Sequence, residues 1–324
     1  MSALGLPPQP NDADRGASRG DGLPERATYY EQPLLKRPHW EWSVIAYLFL
    51  GGLMGGSGIL VMIADERPER EADLARSARY VAFALASACP LVLISHLGRP
   101  ERFLNMLRIV KFKSVMSMGV WGLIAFSGPA TLAVLGQLAR DGVLPKWVAA
   151  LAPRAITKPL QGVLGAFIAG YTGVLLSATA IPVWGTGKRH LPAFSVCSSF
   201  AGACALNAAI LAFAGTDRTR HKLERLELVA STAELILLEA FRQHAGSTGD
   251  PMFGGARGRK LRTHTQLGGI IVPALLGRLP FGGKAKTLLA SALTLAGGYV
   301  LRETLIEAGK DSADDPRAAS RQPE

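Results

Sequence analysis

Four stretches of this sequence hold no Asp, Glu, Lys or Arg: residues 42–64, 114–139, 159–187 and 190–216. A helix of about 20 apolar residues crosses the roughly 30 Å hydrocarbon core of a bilayer. Each stretch is long enough, so each predicts a membrane-spanning helix. Four further stretches are apolar but less clean. Residues 74–97 are charge-free only from Tyr80 to Ser95, and Arg76 and Arg79 at the near end can snorkel. Residues 222–243 carry Glu227, Glu234 and Glu239, residues 264–279 are short and contain Pro273, and residues 284–308 complete the set. With 114–138, 160–182 and 191–214 as the trimmed central spans, the pattern predicts an all-α membrane protein of about eight transmembrane helices. Small residues recur inside the spans, as in "GGLMGGSG", "GAFIAGYTG" and "LAGGYV". In lipid they let helix backbones approach closely.

The flanks divide the 324 residues further. Residues 1–35 read as a polar disordered tail, 36–308 as the helical membrane domain and 309–324 as a second disordered tail. The first tail has no apolar signal core and no paired-Arg export motif, so the span at 42–64 directs insertion.

Composition agrees. Hydrophobic residues are 48% and charged residues 19% of the total, with a mean hydropathy of +0.21. The net charge is +11. Such a basic balance can mean a nucleic-acid partner. Here the Lys and Arg lie between apolar runs, which reads as membrane-flanking charge and no nucleic acid. With eight spans both termini share a face, and a slight excess of basic residues there places them in the cytoplasm. Cys89, Cys197 and Cys204 all fall in apolar runs with no CxxC, which gives no cysteine framework for an iron–sulfur cluster. His39, His190, His221, His244 and His264 lie in tails, loops or span ends, so no pair is set to hold a haem.

Candidate chemistry sits at a few positions. "SHLGRPERFLNMLRIVKFKSVMS", residues 95–117, is a basic run between two apolar stretches. His96 closes the second span, and Gly98-Arg99-Pro100 turns the backbone. An imidazole beside guanidinium groups can pass protons and stabilise an anionic ligand; the other reading is a snorkelling basic loop. Tyr47 lies about 8 Å inside the first span at 1.5 Å per residue. It suits either a ligand oxygen or the aromatic belt. Gly51, Gly52, Gly55 and Gly56 form a flat face for a helix or a planar ring. Tyr171 sits between Gly170 and Gly173, roughly 16 Å from a fourth-span end at Pro182. Glu234 and Glu239 are intramembrane carboxylates and a possible proton path, with Glu227 seven residues before Glu234 on the same face. Alternatively they belong to an amphipathic helix, Glu239 being paired with Arg242 or Arg302.

The runs "WSVIAYLFLGGLMGGSG", "SHLGRPERFLNMLRIVKFKSVMSMGVWGL" and "YTGVLLSATAIPVW" resemble, in order and spacing, the first span, second-to-third loop and fourth span of the NrfD family, which includes the membrane subunit of polysulfide reductase. The likeness extends over about residues 29–310. It implies two four-helix bundles without haem or iron–sulfur cluster, in the bacterial plasma (inner) membrane. It also implies a partner iron–sulfur subunit of the 4Fe–4S ferredoxin type, with a molybdopterin catalytic subunit behind it. Menaquinone or ubiquinone would bind near the docking face, with Tyr47, His96, Arg99 and Tyr171 as the quinone set, His96 and Arg99 as its catalytic members, and no metal ligands. Some family members have His at the position of Tyr47. The expectation is a quinone-binding membrane anchor that passes electrons between the quinone pool and its partner and is inactive alone. A secondary transporter and a ligand-free structural anchor are the other classes.

Overall fold

The computed structural model describes residues 35–96, 105, 107–214, 217–279 and 283–315. Among these all regular structure is helical. Helix α1 spans Trp42–Ala64, α2 Ala72–His96, α3 Val115–Arg140, α4 Arg154–Ser177, α5 Leu191–Ala214 and α6 Asp217–Ala245. Helix α7 is a composite rod. Gly255–Lys260 leads into the wider turns of a π-helix at Leu261–Ile271 and then into Val272–Arg278. Helix α8 is Gly283–Asp314.

Helices α1 to α5 are long and apolar enough to cross a membrane, α2 over Ala72–Ser95. The last three helices are long but carry more charge. The protein is an all-α membrane protein, and five of the eight expected spans meet the length and composition of a crossing helix.

Several ends differ from the hydropathy pattern. Helix α4 stops at Ser177 rather than at 182, although no charge interrupts the sequence there. Thr179 turns its hydroxyl onto the Leu176 carbonyl at 2.8 Å, and a separate short helix begins at Pro182. Ile181 to Trp184 of that connection are buried in protein: Trp184 stacks on Trp40 with ring centroids 5.2 Å apart and donates to the Leu305 carbonyl at 2.8 Å. Helix α8 runs past 308 to Asp314, where Arg37 pairs with it at 2.7 Å.

Helices α1 to α4 pack on one another, and α5 packs on α6 and α8, with α7 against α8. The two groups meet where α1 and α4 lie on α5. Close backbone approach explains the small residues: a Cβ at Gly55 would meet the Gly165 carbonyl oxygen at 2.5 Å. Since the helices alternate in direction, the start of α1, the end of α2, the start of α3 and the end of α4 share one face. We call it the first face. At the opposite face a buried ion pair of Asp65 and Arg79 closes the α1–α4 group. Arg79 also donates to Gln137 at 2.7 Å, and Gln137 donates to Asp141 at 2.9 Å. Two charges taken out of water need such hydrogen-bonded company.

Candidate functional site

Tyr47 on α1 and Tyr171 on α4 line one cavity of about 10 Å³. Gly51 of α1 faces the same space, and a Cβ placed there would meet nothing within 4 Å. Leu48, Met54, Leu123 and Ile168 form the apolar walls. The Tyr171 ring lies against Gly119 of α3, where a Cβ would come within 2.1 Å of its Cζ. Its hydroxyl donates to the Val115 carbonyl at 3.2 Å.

Val115 is the first residue of α3 and so belongs near the first face. The early end of α4 puts Tyr171 six residues from its helix terminus, roughly 9 Å, not the 16 Å reckoned from Pro182. The two tyrosines therefore meet at a similar depth. His96 is the last residue of α2 at this face, but its side chain, like the whole of Arg99, lies outside the described residues. Further along the basic run, Arg108, Lys111 and Lys113 are exposed, and so are Ile109, Val110 and Phe112 among them.

The glutamates separate. Glu234 is 4% exposed, with Ser198 and Arg302 as its partners. Arg302 is equally buried and donates to Ser198 at 3.3 Å, Ser199 at 3.0 Å and the Gly298 carbonyl at 2.9 Å. Its guanidinium carbon lies 5.5 Å from the centre of the Phe49 ring. Glu227 accepts from Thr294 at 2.6 Å. Glu239 is different: its side chain is 44% exposed and is held by Arg242 at 2.6 and 2.8 Å, so it does not join Glu234 in the core. Arg302, Ser198 and Thr294 are core polar residues that the sequence did not single out as site residues. The available signal was periodicity: Thr287, Ser291, Thr294, Gly298 and Arg302 fall three or four apart on one face of α8. Among the described residues no three His, Cys, Asp or Glu side chains gather as a metal site would require.

Comparison with known proteins gives these features a context. The C subunit of polysulfide reductase from Wolinella succinogenes is 27% identical, over 84% of this protein and 94% of that one. Protein NrfD of Escherichia coli is 28% identical over 62% of this protein and 70% of its own length. A NrfD homolog of Haemophilus influenzae is 25% identical over 62% and 69%. The family described as "Polysulphide reductase, NrfD" matches residues 34–311, nearly all of the helical domain. By that match the protein belongs to the NrfD family.

Proposed function

We propose that this protein is the quinone-reactive membrane subunit of a bacterial respiratory oxidoreductase. The observation that carries the reading is the convergence of Tyr47, Tyr171 and Gly51 on one cavity near the face where α2 ends. The family match and the name of the Wolinella relative, a lettered subunit of a reductase, support it.

The donor set fits a flat ring bearing oxygens. Two phenols can donate to ring oxygens, and Gly51 leaves room for a ring face. The space does not yet admit one, since about 10 Å³ holds roughly a single water. Binding therefore moves a wall, and Tyr171 is the side chain that must leave Val115 to donate elsewhere. Oxidation of a quinol, menaquinol or ubiquinol, yields two electrons and two protons, and reduction consumes them. In this reading His96 exchanges a proton and Arg99 supplies the positive charge that stabilises an anionic ring oxygen. Electrons pass to an iron–sulfur partner docked over the basic run at the first face, with a molybdopterin subunit beyond it. Exposed Phe112 and Ile109 among Arg108, Lys111 and Lys113 offer that partner an apolar contact ringed by charge.

The test compares two electron routes in membranes carrying His96→Ala or Arg99→Ala. Quinol-linked turnover should fall to near background, while a soluble dye still reacts with the partner subunits. Wild-type quinone kinetics in both variants would remove the loop from the site.

A further inference from the structure

Helices α6, α7 and α8 enclose a cavity of about 280 Å³ at the face opposite the tyrosines. Helix α7 rests on α8 and scarcely touches α6, so the cavity fills the gap between α6 and α7. Its wall is apolar at Leu228, Ile270, Pro273 and Ala274. Charge gathers toward the helix ends. Arg278 is the last residue of α7, Lys286 stands in the first turn of α8, and Arg225 follows Glu224 on α6. The two carboxylates of the cavity are already engaged. Glu224 lies 3.1 Å from the His221 ring nitrogen and accepts from Thr287 at 3.3 Å, and Glu227 accepts from Thr294 at 2.6 Å. Arg225 and Arg278 are exposed, and among the described residues neither has a carboxylate partner. Lys286 donates only to uncharged groups there, the Leu279 carbonyl at 2.9 Å and the Gly277 carbonyl at 3.4 Å. Ser231 and Ser291, 4% and 2% exposed, line the cavity with no hydrogen-bond partner among the described residues.

We propose that this cavity holds the headgroup of an anionic phospholipid, with the phosphodiester among Arg225, Arg278 and Lys286 and the acyl chains outside the gap between α6 and α7. Three cations against two carboxylates leave one positive charge, and a phosphodiester carries one negative charge. Basic pockets between membrane helices recognise such headgroups, and a guanidinium fork matches phosphate oxygens. The free hydroxyls of Ser231 and Ser291 supply donors for the ester oxygens of the glycerol. The volume lies near the lower bound, roughly 300 Å³, of small-ligand sites, which suits a headgroup with its glycerol and leaves the chains beyond. Apolar cover for the chains lies outside the gap, where Val229 of α6 and Ile271 and Leu275 of α7 are exposed. A soluble phosphate could meet the same cations, but it would leave the wall of Leu228, Ile270, Pro273 and Ala274 facing water. The bound lipid thereby bridges α6 and α7, two helices that protein contacts alone hardly join.

The site is independent of the quinone reading, and so is its test. The full-length protein is purified in a mild detergent, stripped of lipid, and titrated with phosphatidylglycerol or with phosphatidylcholine, whose headgroup has no net charge. Bound lipid is counted by native mass spectrometry. The wild type should hold one phosphatidylglycerol in preference to phosphatidylcholine, and inorganic phosphate should not displace it. Arg225→Gln and Arg278→Gln change exposed side chains, and each should weaken phosphatidylglycerol binding about fivefold, the worth of one basic residue at an anionic membrane surface. Lys146→Gln, an exposed cation at the same face but outside the cavity, should bind as the wild type does. Equal binding of the two lipids by the wild type, or wild-type affinity in both Arg variants, overturns the proposal. Displacement by inorganic phosphate also overturns it, since the site would then be one for a soluble anion.

Discussion

Tyr171 is committed before any ligand arrives, since its only hydroxyl proton goes to the Val115 carbonyl. Tyr47 lines the same cavity and is the readier donor. Tyr47→Phe should therefore lower quinol-linked turnover more than Tyr171→Phe, by about tenfold, the worth of one hydrogen bond at its upper end. Steady-state rates in membranes decide the order, and equal rates for wild type and Tyr47→Phe would contradict it. A second residue effect is pH-linked. His190, just before α5, lies with its ring 5.1 Å from that of His244. Burial lowers its pKa, helped by the positive charges of His244 and Arg189. Its folded pKa lies below the unfolded value of about 6.5, so the neutral ring stabilises the fold above that pH and the benefit is lost as pH falls through the folded pKa. Thermal unfolding in detergent should show Tm falling on mild acidification, and less steeply in His244→Gln. The ion pair of Asp65 and Arg79 is a third case. Asp65→Ala leaves a buried guanidinium unpaired and should cost about 3–5 kcal/mol, read as a lower Tm; an unchanged Tm would mean water reaches Arg79.

The helices set which of these residues meet. Contact between α1 and α4 depends on Gly55 and Gly165, whose backbones touch. Gly55→Ala should destabilise by about 1–3 kcal/mol through overpacking and shift the tyrosines apart, detectable as a Tm drop together with weaker quinone binding. Most helices were legible in the hydropathy, because five of them need apolar length and nothing else. The end of α4 was not legible, because Ala178 to Gly187 is as free of charge as a span, while Ile181 to Trp184 within it are buried against protein instead of lipid. What decides it is the hydroxyl of Thr179 and the docking of Trp184 on Trp40, which are local and tertiary contacts. The glutamates of α6 were half legible. Glu227 and Glu234 share a face by spacing, whereas Glu239, five residues on, points about 140° away at 100° per residue. Which face is inward depends on α8, and the pairing of Thr294 with Glu227 joins residues far apart in sequence.

At the scale of the molecule, α1 belongs to both halves. Gly51 turns to the tyrosine cavity and Gly52 to Arg302, so one helix stands between the two polar systems. The α1–α4 group is closed at the opposite face by Asp65, Arg79 and Gln137, while the α5–α8 group holds a cavity of about 280 Å³ there, walled by His221, Glu224 and Glu227. The two halves therefore differ at that face, one sealed by an ion pair and the other entered by a cavity. Sequence motifs pointed to the first half, since Tyr47, His96 and Tyr171 lie in the quoted runs. The second half depends on residues of ordinary type whose meaning comes from facing one another. The Tyr47–Tyr171 cavity is proposed to take a quinone. Its most direct measurement is the quinone content of the protein purified from its native membrane with its accompanying subunits, extracted and quantified for the wild type and for Gly51→Leu, which fills the cavity from α1. Near-stoichiometric quinone is expected in the wild type, and its loss in a folded Gly51→Leu variant. Equal quinone in both, or none in the wild type, would contradict it.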